Sequence, residues 1–536
     1  MRDRSTTPRS TLLIALGLLV LGCIVAFFAL DDYGLNFDEN SQRLNNGRVN
    51  WNYVIGVDRK TLPGSFERYH GPFFELILYA AEALHPTWDV RTVFLVRHAA
   101  TFALFGVAGL AFFSTLASRF HPLVGLCVAS MVFAAPRMFG DSFHNSKDIV
   151  FLGFAVLEAY FLWLAIQRQS FPFLLAHSIV LGFAFSVRVL GVAFIVSSLL
   201  IVPWATVGSG VRKAAAGGVV LLISLATTYA CWPVLWDSPA HLVLAFDEMV
   251  AFPWNNIVLF GGERIRAHDL PVSYLPTWIV LTTPPLTLLL SFLGLALFLR
   301  DAFETLRRAP SDRVFIFDVA MLGNGYVLLA VILWRKPVVY DGWRHVFFVF
   351  PFIAYFAAYA LARLVDHSSA ALRWGGRVAG ITAAVTTIHG SVAMHPHQNV
   401  YFNFLAGPTL GVVQQKYELD YWGVSARHAL EKVLAACPGP VVVAIRELPI
   451  RENSFILPAD QAARLRYVPT AAKADFHIHL YRDGALPDSR DDPDLSVIVD
   501  GATLIGVRVL EGSCQRARHP EGAALDLRIR LSQSSR

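Results

Sequence analysis

The sequence predicts a polytopic α-helical membrane protein, with about eleven transmembrane helices and a small C-terminal α/β domain outside the cytoplasm. Three observations predict it. Of 536 residues, 55% are hydrophobic and 16% charged, and the mean hydropathy of +0.49 lies beyond the range of soluble domains. Apolar stretches recur at residues 11–30, 90–117, 122–136, 149–166, 171–187, 189–205, 212–232, 276–299, 314–334, 345–363 and 375–394. Past His395 hydropathy falls, charge rises, and short strand-like runs replace the long apolar ones.

Residues 1–10 carry Arg2, Arg4 and Arg9 ahead of the first apolar stretch. That stretch ends in Asp31-Asp32 without a small-residue cleavage site, so it reads as an uncleaved first helix. Counting inward from a cytoplasmic start, the inside segments hold Arg2, Arg4 and Arg9; Arg119; Arg168; Arg212 and Lys213; Arg300, Arg307, Arg308 and Arg313; and Arg363, Arg373 and Arg377. Each carries positive charge, as cytoplasmic loops do. An odd number of crossings then places the C-terminal part outside. The expected division is a transmembrane domain at 1–394, an extracytoplasmic α/β domain at 395–515 and a disordered tail at 516–536. Within the second, a helix is expected at 425–436 and strands at 441–445, 476–481, 495–499 and 503–510. Cys437 and Cys514 are the pair available for a disulfide there, although two cysteines give no pattern to test.

The outer face collects residues 31–89, 137–148, the turn at Arg188, 233–275 and 335–344. In the first of these, residues 73–84 are amphipathic and too short to span, and residues 239–252 read similarly in the fourth. The unusual charges also gather on this face. Asp38 and Glu39 follow the first helix, where hydrocarbon would force a carboxylate neutral, so they face water, a cation or a substrate. Asp141, Lys147 and Asp148 lie at the mouth between the third and fourth stretches. Lys147 and Asp148 also suit a helix start, where the dipole favours a carboxylate.

Arg188 interrupts an apolar run. Snorkelling to headgroups is one role; the other is to bind phosphate, because a guanidinium presents a planar fork to its oxygens. Arg335, Lys336 and the stretch Tyr340-Asp341-Gly342-Trp343-Arg344-His345 add cations to a face that should have few. A bound anion explains this charge, and lipid headgroups explain it less specifically. A carboxylate beside cations at a membrane surface suits group transfer from a lipid-linked phosphate. The carboxylate takes a proton from an acceptor hydroxyl, the hydroxyl attacks the anomeric carbon, and the cations stabilise the departing phosphate. Phosphate leaves without a proton, so one base and an anion clamp suffice.

The chain resembles the membrane glycosyltransferases of the GT-C type, family 39, which includes the dolichyl-phosphate-mannose protein mannosyltransferases and their bacterial relatives. The resemblance rests on Phe37-Asp38-Glu39, Tyr69-His70-Gly71-Pro72, the segment 136–148, Tyr274-Leu275-Pro276 with Thr282-Thr283-Pro284, and Tyr340 through His345. His395-Pro396, Tyr401-Phe402-Asn403 and Glu418-Leu419-Asp420-Tyr421-Trp422-Gly423 extend it, so that it covers about residues 10–430 in order and spacing.

What the resemblance implies is a GT-C-like fold and an inverting hexosyl- or pentosyltransferase using a polyprenyl-phosphate sugar, with mannose or a pentose as the sugar. It further implies Asp38 as the catalytic base with Glu39 beside it, and a bacterial inner-membrane enzyme acting on the outer face. His70-Gly71-Pro72 departs from the His-Pro-Pro of the protein mannosyltransferases, and the domain that eukaryotic members insert between membrane helices is not found. The acceptor, whether protein, lipid or glycan, therefore stays open.

The candidate site residues are Asp38, Glu39 and Asp148 for catalysis and Lys147, Arg188 and Arg344 for the donor phosphate. His70, Asp141, Tyr340, Asp341, His345, Asp420 and Trp422 are the candidates for the remaining substrate contacts. Asp420 and Trp422 equally suit an anchor at headgroup level. A divalent metal ion is a candidate cofactor, with His70, His144 and His345 able to join a carboxylate as ligands. The formal charge of +5 is too small and scattered for a nucleic-acid partner. Two other classes compete: a lipid-linked-sugar transporter or flippase, and a non-catalytic membrane scaffold. Transporters place charge near the midplane between paired halves, whereas here it gathers at one face.

Overall fold

In a computed structural model of the chain, the described residues are 9–250, 252–445, 448–482 and 493–510. Arg2, Arg4, Cys514 and the segment 516–536 lie outside them. The protein is an integral membrane protein, mostly helical, with a small sheet unit at its C-terminal end.

Seven helices among the described residues are long and apolar enough to cross a membrane: Thr11–Ala29, Val90–Arg119, Asp148–Arg168, Gly210–Cys231, Pro285–Arg308, Arg313–Arg335 and Arg344–Val365. An eighth span is formed if Pro122–Phe133 and Pro136–His144, bent by 62° across a short break, count as one. Of the eleven expected stretches, two form shorter apolar helices, Phe171–Phe185 and Val189–Ala205. The last becomes the 24-residue helix Ala370–Ala393, which is not among the seven. For the two short helices the reason is length, because hydropathy sees apolar content whereas crossing also needs length. A helix of 15 residues rises only about 22 Å, short of a hydrocarbon core of about 30 Å.

Close helix contact is built on small residues. Helix Pro285–Arg308 meets Arg344–Val365 at Gly294, where an added Cβ would lie 1.6 Å from the Phe356 carbonyl oxygen and 3.1 Å from the Ala360 nitrogen. Those are backbone atoms of the opposing helix, so no rotamer change relieves the clash. Gly294→Ala is therefore expected to destabilise the bundle by about 1–3 kcal/mol or more. A thermal midpoint in detergent equal to that of wild type would contradict this contact.

Residues 31–89 form a compact cap of short helices, ending in Phe73–Leu84, whose bounds match the amphipathic stretch expected there. The Tyr69-His70-Gly71-Pro72 turn is seated against the end of Phe171–Phe185. A Cβ on Gly71 would lie 2.3 Å from the Ser186 carbonyl oxygen, and Phe73 N–H donates to that same oxygen at 3.2 Å. The helix expected at 239–252 forms over His241–Val250. Beyond it, a two-stranded hairpin pairs β1 (Ile257–Phe260) with β2 (Glu263–Arg266) through Gly261-Gly262, both at positive φ. This hairpin is an addition to the elements the sequence pattern predicts.

The C-terminal unit is a five-stranded mixed sheet of β3 (Val441–Ala444), β4 (Leu465–Val468), β5 (Phe476–Leu480), β6 (Leu495–Val499) and β7 (Ala502–Val509), in the order β4-β3-β5-β7-β6. The β3 pairs with β4 and β5 are parallel, and the remaining pairs are antiparallel. Four of these strands and the helix Ala426–Ala436 follow the sequence pattern; β4, only four residues long, escapes it. The unit has its own apolar core, separate from that of the helices. Cys437 is disulfide-bonded, while Cys23, Cys127 and Cys231 are free.

The sheet unit is tied to the first loop by Asn453, which is fully buried. Its Oδ1 accepts from Leu35 N–H at 2.8 Å, and its Nδ2 donates to the Leu35, Gly423 and Pro449 carbonyls at 3.0, 3.3 and 2.8 Å. These bonds hold the loop that carries Asp38 beneath the C-terminal unit.

Candidate active site

Asp38 precedes the short helix Glu39–Ser41. Its N–H donates to Asn36 Oδ1 at 2.8 Å in an Asx turn, and Asn36 Nδ2 donates to the His144 carbonyl. The first loop is thereby pinned to the segment 136–148. The Asp38 carboxylate is half-buried and has no hydrogen-bond or ion-pair partner among the described residues. Burial raises its pKa above the ordinary aspartate value of 3.8; Arg344 and Lys147 oppose the rise, while Asp341 and Glu67 add to it.

The charges around Asp38 are paired. Asp148, 2% exposed, accepts from Arg188 Nη2 on one oxygen and from Arg344 Nη1 at 3.2 Å on the other. Arg344 Nη2 reaches Asp341 Oδ2 at 3.1 Å, and Arg482 Nη2 reaches Asp341 Oδ1 at 2.5 Å. Arg482 Nε also donates to Glu418 at 3.3 Å. An alternating row thus runs from Glu418 through Arg482, Asp341, Arg344 and Asp148 to Arg188, joining segments distant in sequence. Lys147 lies 3.9 Å from Glu67, which also contacts His70 Nδ1 at 3.0 Å. Burial would raise Glu67, but Lys147 and His70 outweigh it and hold the carboxyl at about 2. In this row three arginines face three carboxylates and Lys147 faces Glu67, while Asp38 takes part in none of these pairs.

The arginines keep donors in reserve. Among the described residues, Nε of Arg188 and Nε of Arg344 are buried without a hydrogen-bond partner, and an unmade bond of this kind is costly unless a ligand completes it. Aromatic rings enclose the row: the Arg344 guanidinium lies 4.8 Å from the Trp422 ring and 5.1 Å from that of Tyr340. Tyr340 stacks on Trp254 at 3.9 Å and meets His345 edge-on at 4.8 Å. Burial pushes the Tyr340 phenol up to about 12, so it remains an O–H donor.

The structure therefore brings Asp38, Lys147, Asp148, Arg188, Tyr340, Asp341, Arg344, His345 and Trp422 into one neighbourhood, with His70 at its Glu67 side. Asp141 is buried behind it and accepts from Asn145 Nδ2 at 3.1 Å; Asn145 Oδ1 in turn caps the Asp148 N–H at 2.8 Å. Two expected residues are engaged elsewhere. Glu39, 1% exposed, turns to the helix Val90–Arg119, where it meets His98 Nε2 at 3.1 Å and Arg97 Nε at 3.9 Å. Asp420 caps a turn, accepting from Val424 N–H, Ser425 N–H, Ser425 Oγ and Asn399 Nδ2 at 3.1, 2.9, 2.5 and 3.0 Å.

Sequence reasoning missed Glu67, Glu418 and Arg482 as parts of the site. Glu67 stands three residues before His70 and could have been found from that spacing; Arg482 carries no local signal. Among the described residues no group of three or more His, Cys, Asp or Glu side chains is arranged to hold a metal ion. His70, His144 and His345 therefore do not converge with a carboxylate as the candidate ligand set requires.

No sequence-family model and no curated protein matches the chain. Among solved structures, ArnT from Cupriavidus metallidurans bound to undecaprenyl phosphate is similar at 11% identity, covering 92% of this chain and 98% of that one, with a TM-score of 0.47. The same protein in its apo state aligns at 12% identity and a TM-score of 0.46, covering 92% of this chain and 97% of that one. Archaeal oligosaccharyltransferase AglB from Archaeoglobus fulgidus, in complex with an inhibitory peptide and a dolichol-phosphate, aligns at 13% identity and a TM-score of 0.44. That alignment covers 86% of this chain and 65% of AglB.

Proposed function

We propose that the protein is an inverting glycosyltransferase that moves a sugar, mannose or a pentose, from a polyprenyl phosphate to a hydroxyl of an acceptor. It would act at the outer face of a bacterial inner membrane. The observation that carries the reading is a contrast among the described residues. Asp38 is the one carboxylate of the cluster without a partner, and the buried Nε groups of Arg188 and Arg344 lack an acceptor.

Asp38 takes the proton of the acceptor hydroxyl as its oxygen forms a bond to the anomeric carbon. The bond from that carbon to the phosphate oxygen breaks on the opposite face, and its electron pair leaves with the polyprenyl phosphate. Arg188 and Arg344 meet the growing charge with donors already in place and need not abandon Asp148. Lys147 adds to the field. Asp148 is a positioning residue, because a carboxylate held by two guanidiniums is a poor base. Glu39 acts similarly at a distance, fixing the turn that carries Asp38 to the helix Val90–Arg119. Trp422 and Tyr340 border the place where a sugar ring would stack. The division at residue 395 belongs to the same reading, with the C-terminal unit roofing the site on the outer side.

A base works only when ionised, so kcat/KM is expected to fall as pH drops through the raised pKa of Asp38. The acid limb should therefore lie above 3.8, the ordinary value. Turnover of a polyprenyl-phosphate sugar that stays level down to that pH would contradict Asp38 as the base.

A further inference from the structure

Arg482 belongs to the C-terminal unit, two residues past the end of β5, yet its side chain ends at the centre of the charged cluster. Its partner Asp341 has φ +56, a left-handed conformation that few residues other than glycine adopt, and Gly342 follows at φ +69. Asp341 is 4% exposed, and its two oxygens are divided, one to Arg482 and one to Arg344. The guanidinium of Arg344 is divided in the same way between Asp341 and Asp148.

The unpartnered Nε of Arg344 depends on this division. A carboxylate with both oxygens available takes an arginine as a two-pronged fork, the more stable arrangement. Arg482 occupies the second oxygen of Asp341, so Asp341 can hold Arg344 by one nitrogen only. Without Arg482, Asp341 is able to draw Arg344 into a bidentate pair, away from Asp148 and from the space beside Asp38. The Trp254 ring, 5.9 Å from the Arg482 guanidinium and stacked on Tyr340, limits where the Arg482 side chain can go.

We propose that Arg482 is a positioning residue for anion binding: by occupying one oxygen of Asp341, the C-terminal unit keeps Arg344 aimed at the donor phosphate. The inference rests on the reading of the cluster as a polyprenyl-phosphate site. It makes the sheet unit part of the site rather than an appended domain.

The test measures binding of polyprenyl phosphate to the purified full-length protein by wild type, Arg482→Gln, Arg482→Lys and the double variant Arg482→Gln/Asp341→Asn. Arg482→Gln should weaken binding about tenfold, the loss expected when one charge-assisted hydrogen bond is misdirected. Arg482→Lys keeps a cation on Asp341 and should stay within about threefold of wild type, and it carries the test if the Gln variant does not fold. The double variant should recover most of the loss, because an amide at position 341 no longer captures Arg344; a merely structural role for Arg482 would lower the thermal midpoint of Arg482→Gln in step with its binding, whereas misdirection of Arg344 weakens binding in protein of near wild-type midpoint. Wild-type affinity in Arg482→Gln, or a double variant as weak as the single one, overturns the inference alone. Failure of wild type to bind polyprenyl phosphate overturns the reading beneath it, and the inference with it.

Discussion

Asp38→Asn is expected to lower donor turnover by about 10²- to 10⁴-fold while leaving the protein folded and able to bind polyprenyl phosphate. The size follows from the absence of a substitute. Glu39 is turned to His98 and Arg97, Asp148 is held by Arg188 and Arg344, and Asp341 is shared between two arginines. Freeing any of these carboxylates to act as a base would break an ion pair. The fold is expected to survive because, among the described residues, the Asp38 side chain contributes no hydrogen bond or ion pair to its surroundings. An amide also removes a charge that burial disfavours. The measurement is kcat with kcat/KM for one donor, beside a binding titration. A variant that retains turnover within a few-fold would remove Asp38 from the chemistry.

Arg344→Gln is expected to be the most damaging substitution in the site, because two carboxylates depend on this arginine. Asp148 and Asp341 are 2% and 4% exposed, and each loses a partner when the guanidinium is removed. Breaking a buried pair from one side costs about 3–5 kcal/mol when the remaining charge is left uncompensated; here Asp148 keeps Arg188 and Asp341 keeps Arg482, so the expected loss lies below that range. Function suffers separately, because one of the two free Nε donors disappears and the Trp422 ring loses the cation over its face. A lowered thermal midpoint together with weakened polyprenyl-phosphate binding is the expected pair of results. Arg344→Lys should recover part of the stability and little of the binding, because an ammonium cannot serve Asp148, Asp341 and a phosphate at once. Equal recovery of both would show that charge alone, rather than the fork, is what the site uses.

Much of this site is legible in the sequence for a simple physical reason. Lys147, Asp148, Arg188 and Arg344 are costly at a membrane boundary; Arg188 interrupts an apolar run and the others fall in short polar stretches between apolar ones, so placement alone marks them. What is not legible is pairing. Nothing near residue 39 says that Glu39 turns to Arg97 and His98, because those partners lie on another helix. Asp420 reads as a substrate contact in a motif, yet it is consumed by the backbone of residues 424–425. Arg482 sits in a stretch whose local pattern says only that a strand has ended.

The fold divides similarly. Helix 73–84 and helix 426–436 follow from apolar periodicity, and the hairpin at 257–266 could have been read from Gly261-Gly262 between two short runs. Strand β4, with Arg466 between Leu465 and Tyr467, is an edge strand set by its pairing with β3. The number of crossings is the feature least legible in the sequence, because bent and shortened helices are apolar without being long.

The most direct test of the central claim follows release of free polyprenyl phosphate from a panel of polyprenyl-phosphate sugars by the purified protein in detergent, with membrane extract supplied as acceptor. Release from at least one donor, abolished in Asp38→Asn, is the predicted result, and the active donor would also identify the sugar. No release from any donor by protein shown to be folded would contradict the account and favour a membrane scaffold in which Asp38 has no chemical task.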